Sequence, residues 1–196
     1  MISEEIMKKI ILVTGGQRSG KSTYAEKMVL GLSGEKQAVY MATARVWDEE
    51  FAHRVELHKQ RRGPQWINIE EEKFLCNHNV EGKVVLVDCV TLWSTNFFFD
   101  NSTDFLPGSS TMDASQAEQS ATLVERTLQQ IKEEFEKFTA QDATFVFVTN
   151  EIGLSGVSEN MVQRQFTDLL GWLNQYIASK ADEVVFMISG IPVKIK

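Results

Sequence analysis

Cysteine is scarce in this chain. Only Cys76 and Cys89 occur among 196 residues. Their spacing fits no zinc or redox motif, and two unpaired thiols suit a reducing compartment. Cys89 follows Asp88 in an apolar run and reads as a buried small hydrophobe. Positive charge is also in deficit: 20 Lys and Arg stand against 27 Asp and Glu, a net charge of −7. Nucleic-acid-binding domains usually carry a basic face, so that role is disfavoured. Long hydrophobic runs are missing as well. The first apolar run, Ile10 to Val13, is too short for a signal peptide or a membrane span. These absences predict a cytoplasmic protein without a membrane span.

What is present is a series of short apolar, β-branched runs. They are Ile10–Thr14, Ala38–Thr43, Val84–Val87, Thr144–Thr149 and Val184–Ile188. Each is continuous rather than alternating, as expected of strands buried on both faces of a parallel sheet. Between them lie helical patterns. Val124, Leu128, Ile131, Phe135 and Phe138 form one stripe, and Val162, Phe166, Leu169, Leu173 and Ile177 another. Strands alternating with helices predict a doubly wound, mostly parallel α/β sheet. Ser189-Gly190-Ile191-Pro192 then turns the chain into a short last strand, predicted as an antiparallel edge. The polar stretch from Asp100 to Gln119 is predicted as a loop.

The chemistry-bearing motif is Gly15-Gly16-Gln17-Arg18-Ser19-Gly20-Lys21-Ser22, a complete G-x-x-x-x-G-K-[ST]. A strand precedes it and a helix-forming stretch follows, as a phosphate-binding loop requires. Glycines allow the tight turn that points several N–H groups at one anion. The next helix adds its unpaired N–H groups and positive dipole end. Lys21 is a catalytic candidate, able to reach the β- and γ-phosphates, and Ser22 can bind Mg²⁺. Asp88 ends the buried run Val84–Val87. It can hold the Mg²⁺ shell beside Ser22, or simply cap a turn. The guanine-reading Asn-Lys-x-Asp signature of regulatory GTPases is missing. Thr149-Asn150-Glu151-Ile152-Gly153 follows a strand without matching it.

The densest positive segment is Arg54-Val55-Glu56-Leu57-His58-Lys59-Gln60-Arg61-Arg62. On a helix, Arg54, His58 and Arg62 share one face, and Gly63-Pro64 ends that helix. Two readings are evenly matched. The face is solvated, with its cations paired to nearby carboxylates. Or Arg54, Arg61 and Arg62 bind phosphate. In the second case, neighbouring cations favour the neutral imidazole of His58, a nucleophile able to attack phosphorus. His53 and His78 have no comparable setting.

These segments together resemble the bifunctional adenosylcobinamide kinase/adenosylcobinamide-phosphate guanylyltransferase family of cobalamin biosynthesis. The resemblance rests on IILVTGGQRSGKS, VYMATA, RVELHKQRRGPQW, VDCVTLWSTN, FVFVTNEIG and ADEVVFMISGIPVKIK. It runs from about Lys9 to Lys196, one catalytic domain after an N-terminal extension of residues 1–8. It implies a RecA-like fold, a homotrimer, a corrinoid substrate, and Mg²⁺ with ATP or GTP. It implies phosphorylation of the aminopropanol hydroxyl of adenosylcobinamide, then GMP transfer from GTP through a guanylyl-histidine. His58 occupies the histidine position of the family motif. The next residue toward the N-terminus is Leu57, where some members carry a second histidine. Glu151 is a candidate base or substrate contact. The alternatives are a P-loop small-molecule kinase without nucleotidyl transfer, and a non-catalytic nucleotide-dependent switch.

Overall fold

The structure is a computed structural model that describes residues 8–46, 49, 62–102 and 114–196, the side chains of 114–121 excepted. Strand β1 (Lys9–Gly15) is followed by helix α1 (Lys21–Ser33) and strand β2 (Ala38–Ala42). Next come β3 (Trp66–Glu70), β4 (Val84–Asp88), helix α2 (Val90–Asn101) and helix α3 (Ala114–Thr139). Strand β5 (Thr144–Val148), helix α4 (Met161–Lys180), β6 (Glu183–Ile188) and β7 (Ile191–Lys194) complete the order.

The seven strands form one sheet in the order β3-β2-β4-β5-β1-β6-β7. All neighbours are parallel except β6 and β7, which pair antiparallel. The mostly parallel sheet and the antiparallel final edge therefore agree with the sequence reading. One strand, β5, separates β1, which leads into the glycine-rich loop, from β4, which ends at Asp88. That insertion is the RecA-like arrangement.

Alternation along each strand sends side chains to two cores. On one face Ile11, Val13, Tyr40, Leu86, Val146 and Met187 pack with Ala25 and Val29 of α1. On the other, Leu12, Met41, Val87 and Phe147 pack with Trp93 and Phe97 of α2, Ile131 and Phe135 of α3, and Leu170 and Leu173 of α4. Because both faces are covered, the middles of the central strands are apolar on both faces, which is why they read as continuous runs. The stripe predicted on α3 is buried at Val124, Ile131, Phe135 and Phe138. That on α4 is buried at Leu169, Leu173 and Ile177, while Val162 at its start is exposed.

The loop expected over 100–119 needs correction at both ends. Asp100 and Asn101 close α2, and helix α3 already begins at Ala114. Ser and Gln residues at the start of an amphipathic helix gave that stretch its loop-like composition. Residues 103–113 lie outside the described residues.

Candidate functional site

The carboxyl ends of the parallel strands β1, β2, β4 and β5 converge on one crevice, the usual ligand position in open α/β sheets. A cavity of about 390 Å³ opens there. Gln17, Arg18, Lys21 and Ser22 form one wall, Tyr40, Arg62 and Asp88 another, and Asn150 and Thr91 close the end of β5.

Local backbone makes the loop. Gly15 takes φ 149° and Gly20 φ 92°, while Arg18 sits at φ 58°. A Cβ at Gly15 would lie 2.5 Å from the Met187 carbonyl oxygen on β6, so only glycine fits this close approach. Gly20 caps α1 without a side-chain hydrogen bond, and the first turn carries no acidic residue. The helix thus offers bare N–H groups and an uncompensated positive end at the cavity. Two neighbours hold the loop from behind. The Gly190 amide, at the β6–β7 turn, donates to the Ser19 carbonyl at 2.9 Å. The Glu151 amide donates to the Gly15 carbonyl at 3.1 Å.

Lys21 is buried, and its ammonium donates to the Gly16 carbonyl at 2.5 Å. Desolvation lowers its pKa, against the opposing fields of Cys89 and Asp88. Ser22 Oγ donates to Asp88 Oδ1 at 3.3 Å. The other carboxylate oxygen of Asp88 accepts from the Tyr40 hydroxyl. Asp88 therefore faces the loop serine across the crevice, and among the described residues its carboxylate takes no backbone hydrogen bond. Its neighbour Cys89 is half-buried and lines the cavity, rather than being fully packed away as its apolar context suggested. Desolvation and the Asp88 charge push the Cys89 thiol up to about 12, which keeps it protonated and unreactive at neutral pH.

Of the basic segment, Arg62 is the one site residue described. It stands outside any helix, in the chain leading to β3, so it does not extend the predicted helical face. Its guanidinium lies 3.3 Å from the Tyr40 ring centroid, and Nη1 donates to Asn68 Oδ1 at 3.2 Å. Arg54, His58 and Arg61 lie outside the described residues.

Glu151 is tied down. Its Oε1 accepts from Thr14 Oγ1 at 2.8 Å and from Asn174 Nδ2 at 3.1 Å. Asn150 is the residue after β5 that reaches the cavity. Thr91 orients it by accepting from both its backbone amide and its Nδ2, at 3.0 and 3.2 Å. Tyr40, Thr91 and Asn150 lie in the segments VYMATA, VDCVTLWSTN and FVFVTNEIG, but sequence reasoning gave none of them a role of its own. The one available signal was position: each lies on, or just after, a strand whose end faces the loop.

A glycine-rich loop between β1 and α1, a serine–aspartate pair across from it and an arginine in the same crevice define a P-loop nucleotide-binding protein. Residues 11–195 match the family described as cobinamide kinase / cobinamide phosphate guanyltransferase, and the chain belongs to that family of enzymes. The chain is 37% identical to the bifunctional adenosylcobalamin biosynthesis protein CobU of Escherichia coli (strain K12). That alignment takes in 95% of this chain and 99% of the relative. It is 36% identical to the CobU protein of Salmonella typhimurium, with the same coverage. The bifunctional adenosylcobalamin biosynthesis protein CobP of Pseudomonas aeruginosa is 32% identical, over 94% of this chain and 96% of the relative. Among the described residues, no helix is long and apolar enough to cross a membrane.

Proposed function

We propose that this chain is a cytoplasmic homotrimer that phosphorylates the aminopropanol hydroxyl of adenosylcobinamide with ATP or GTP. It then transfers GMP from GTP to the new phosphate, giving adenosylcobinamide-GDP. Residues 9–196 act as one catalytic unit. The observation that carries the reading is the meeting of Lys21, Ser22, Asp88 and Arg62 in a single cavity. Arg62 at that wall favours phosphate binding over a solvated face for the basic segment it ends.

Lys21 neutralises charge on the β- and γ-phosphates, and the amides of Gly16 to Gly20 cradle them. Mg²⁺ takes oxygen ligands and is usually held by one or two protein groups plus substrate phosphates. The Ser22 hydroxyl and Asp88 carboxylate, 3.3 Å apart, have that chemistry and would hold it, where it neutralises phosphate charge.

His58 is the covalent nucleophile in this reading. Its neutral imidazole nitrogen attacks the α-phosphorus of GTP. A P–N bond forms, the α–β P–O bond breaks, and pyrophosphate leaves. A phosphate oxygen of cobinamide phosphate then attacks the same phosphorus, and the P–N bond breaks. Arg54, Arg61 and Arg62 stabilise the charge that develops on phosphate oxygens.

Incubation with α-labelled GTP, followed by a denaturing gel, tests this. Wild-type protein should carry label that acid removes and base does not, as for a phosphoramidate. His58→Ala should lose the label and guanylyl transfer while keeping kinase turnover. Label persisting in His58→Ala, or found on Lys59, would refute the assignment. A wild type that turns over as a kinase without label is the monofunctional kinase instead.

A further inference from the structure

Tyr40 lies in the segment VYMATA with no role assigned to it, yet it touches both halves of the crevice. It is 1% exposed on β2. In the sheet register Ala42 lies beside Asp88 and Tyr40 beside Leu86. Tyr40 is therefore one side-chain period below the carboxylate on the same face, and its phenol extends up that face to Asp88. The ring is held on two sides. Trp66 meets it edge-on at 5.5 Å between centroids, and the Arg62 guanidinium covers it at 3.3 Å.

A buried hydroxyl without a partner is costly, and packing alone would be met by phenylalanine. Among the described residues the hydroxyl has one partner, Asp88 Oδ2, which leaves Oδ1 toward Ser22. The phenol donates to that carboxylate from a buried position on the same face of the sheet. The Nε of Arg62 is buried with no hydrogen-bond partner among the described residues. Among the described residues, the stack on Tyr40 and the bond to Asn68 hold this cation at the cavity wall.

We propose that Tyr40 is a positioning residue that acts through Asp88: its phenol fixes the carboxylate rotamer that presents Oδ1 beside Ser22, and its ring seats Arg62. The inference rests on the Mg²⁺ reading of Ser22 and Asp88 given above and deepens it.

The test compares affinity for β,γ-imido-GTP in Mg²⁺ and in EDTA. It uses wild type, Tyr40→Phe, Asp88→Asn and the double variant. Asp88→Asn should remove most of the tightening that Mg²⁺ gives. Tyr40→Phe should reduce that tightening about tenfold, as loss of a hydrogen bond to a charged group does, with little change in EDTA. In the Asp88→Asn background, Tyr40→Phe should add nothing. Full Mg²⁺ tightening in Tyr40→Phe, beside a clear loss in Asp88→Asn, would overturn the inference and leave the metal reading standing. Equal weakening in Mg²⁺ and EDTA, or failure of Tyr40→Phe to fold by near-UV circular dichroism, would show a packing role and also overturn it. Full tightening in Asp88→Asn would remove the metal reading itself, and this inference with it.

Discussion

The Lys21 ammonium is folded back onto its own loop, donating to the Gly16 carbonyl at 2.5 Å in a buried position. A carbonyl is a poor substitute for a phosphate as partner to a desolvated cation. A nucleotide phosphate offers Lys21 a full negative charge in place of that dipole.

Lys21→Met should therefore abolish kinase turnover without unfolding the protein. The sign follows from the depressed pKa. Burial penalises the charged form, so removing the charge relieves a cost in the nucleotide-free state. The melting temperature of free Lys21→Met should be no lower than that of wild type, by scanning calorimetry. Normal turnover in the folded variant would contradict the role given to Lys21.

Gly15→Ala should fail for a different reason. The new Cβ would press on the Met187 carbonyl at 2.5 Å, a backbone atom of β6, at a φ that side chains rarely adopt. Such strain costs on the order of 1–3 kcal/mol. For a chain of this size that is a fall of roughly 3–10 °C in melting temperature. Nucleotide affinity should fall too, because the first turn of the loop must shift. A thermal melt and a binding titration check both.

Asp100 accepts from Arg45 at 2.6 Å and from Lys73 at 3.0 Å. The Arg45 hydrogen bond, with Lys73 helping and desolvation opposing, holds the carboxyl down at about 2. The folded value lies below the ordinary 3.8, so this stabilisation is present above about pH 4. It is lost as pH falls toward 2. The group is partly exposed, so screening limits it to about 0.5 kcal/mol. Asp100→Asn should lower the urea midpoint slightly at pH 7, and the difference should shrink below pH 4 and in high salt. A difference that grows on acidification would count against the ion pair.

The proposed homotrimer predicts a mass near three chains by light scattering at micromolar concentration. A mass of one chain would remove that part of the reading.

Much of the fold was legible because parallel strands buried on both faces are apolar at nearly every position, as Val84–Val87 and Phe145–Val148 are. Strand β3 was not. Only Trp66 is buried along it, and Asn68 and Glu70 interrupt the apolar pattern, because the strand lies at the sheet edge. In the site, the glycine-rich loop and Asp88 were legible because their chemistry is local in sequence. Tyr40 was not: the β2–β4 register brings its hydroxyl to a carboxylate 48 residues away. Arg62 was read as the last member of a helical face, whereas a ring on β2 determines where it sits.

The hydrogen bond from the Gly190 amide to the Ser19 carbonyl joins the hairpin tip at the sheet edge to the centre of the phosphate loop. This makes Gly190 a built-in gauge. Its amide proton is hydrogen-bonded only while Ser19 keeps its place, so its rate of exchange with solvent deuterium reports whether that contact is made, at a backbone atom outside the reacting groups.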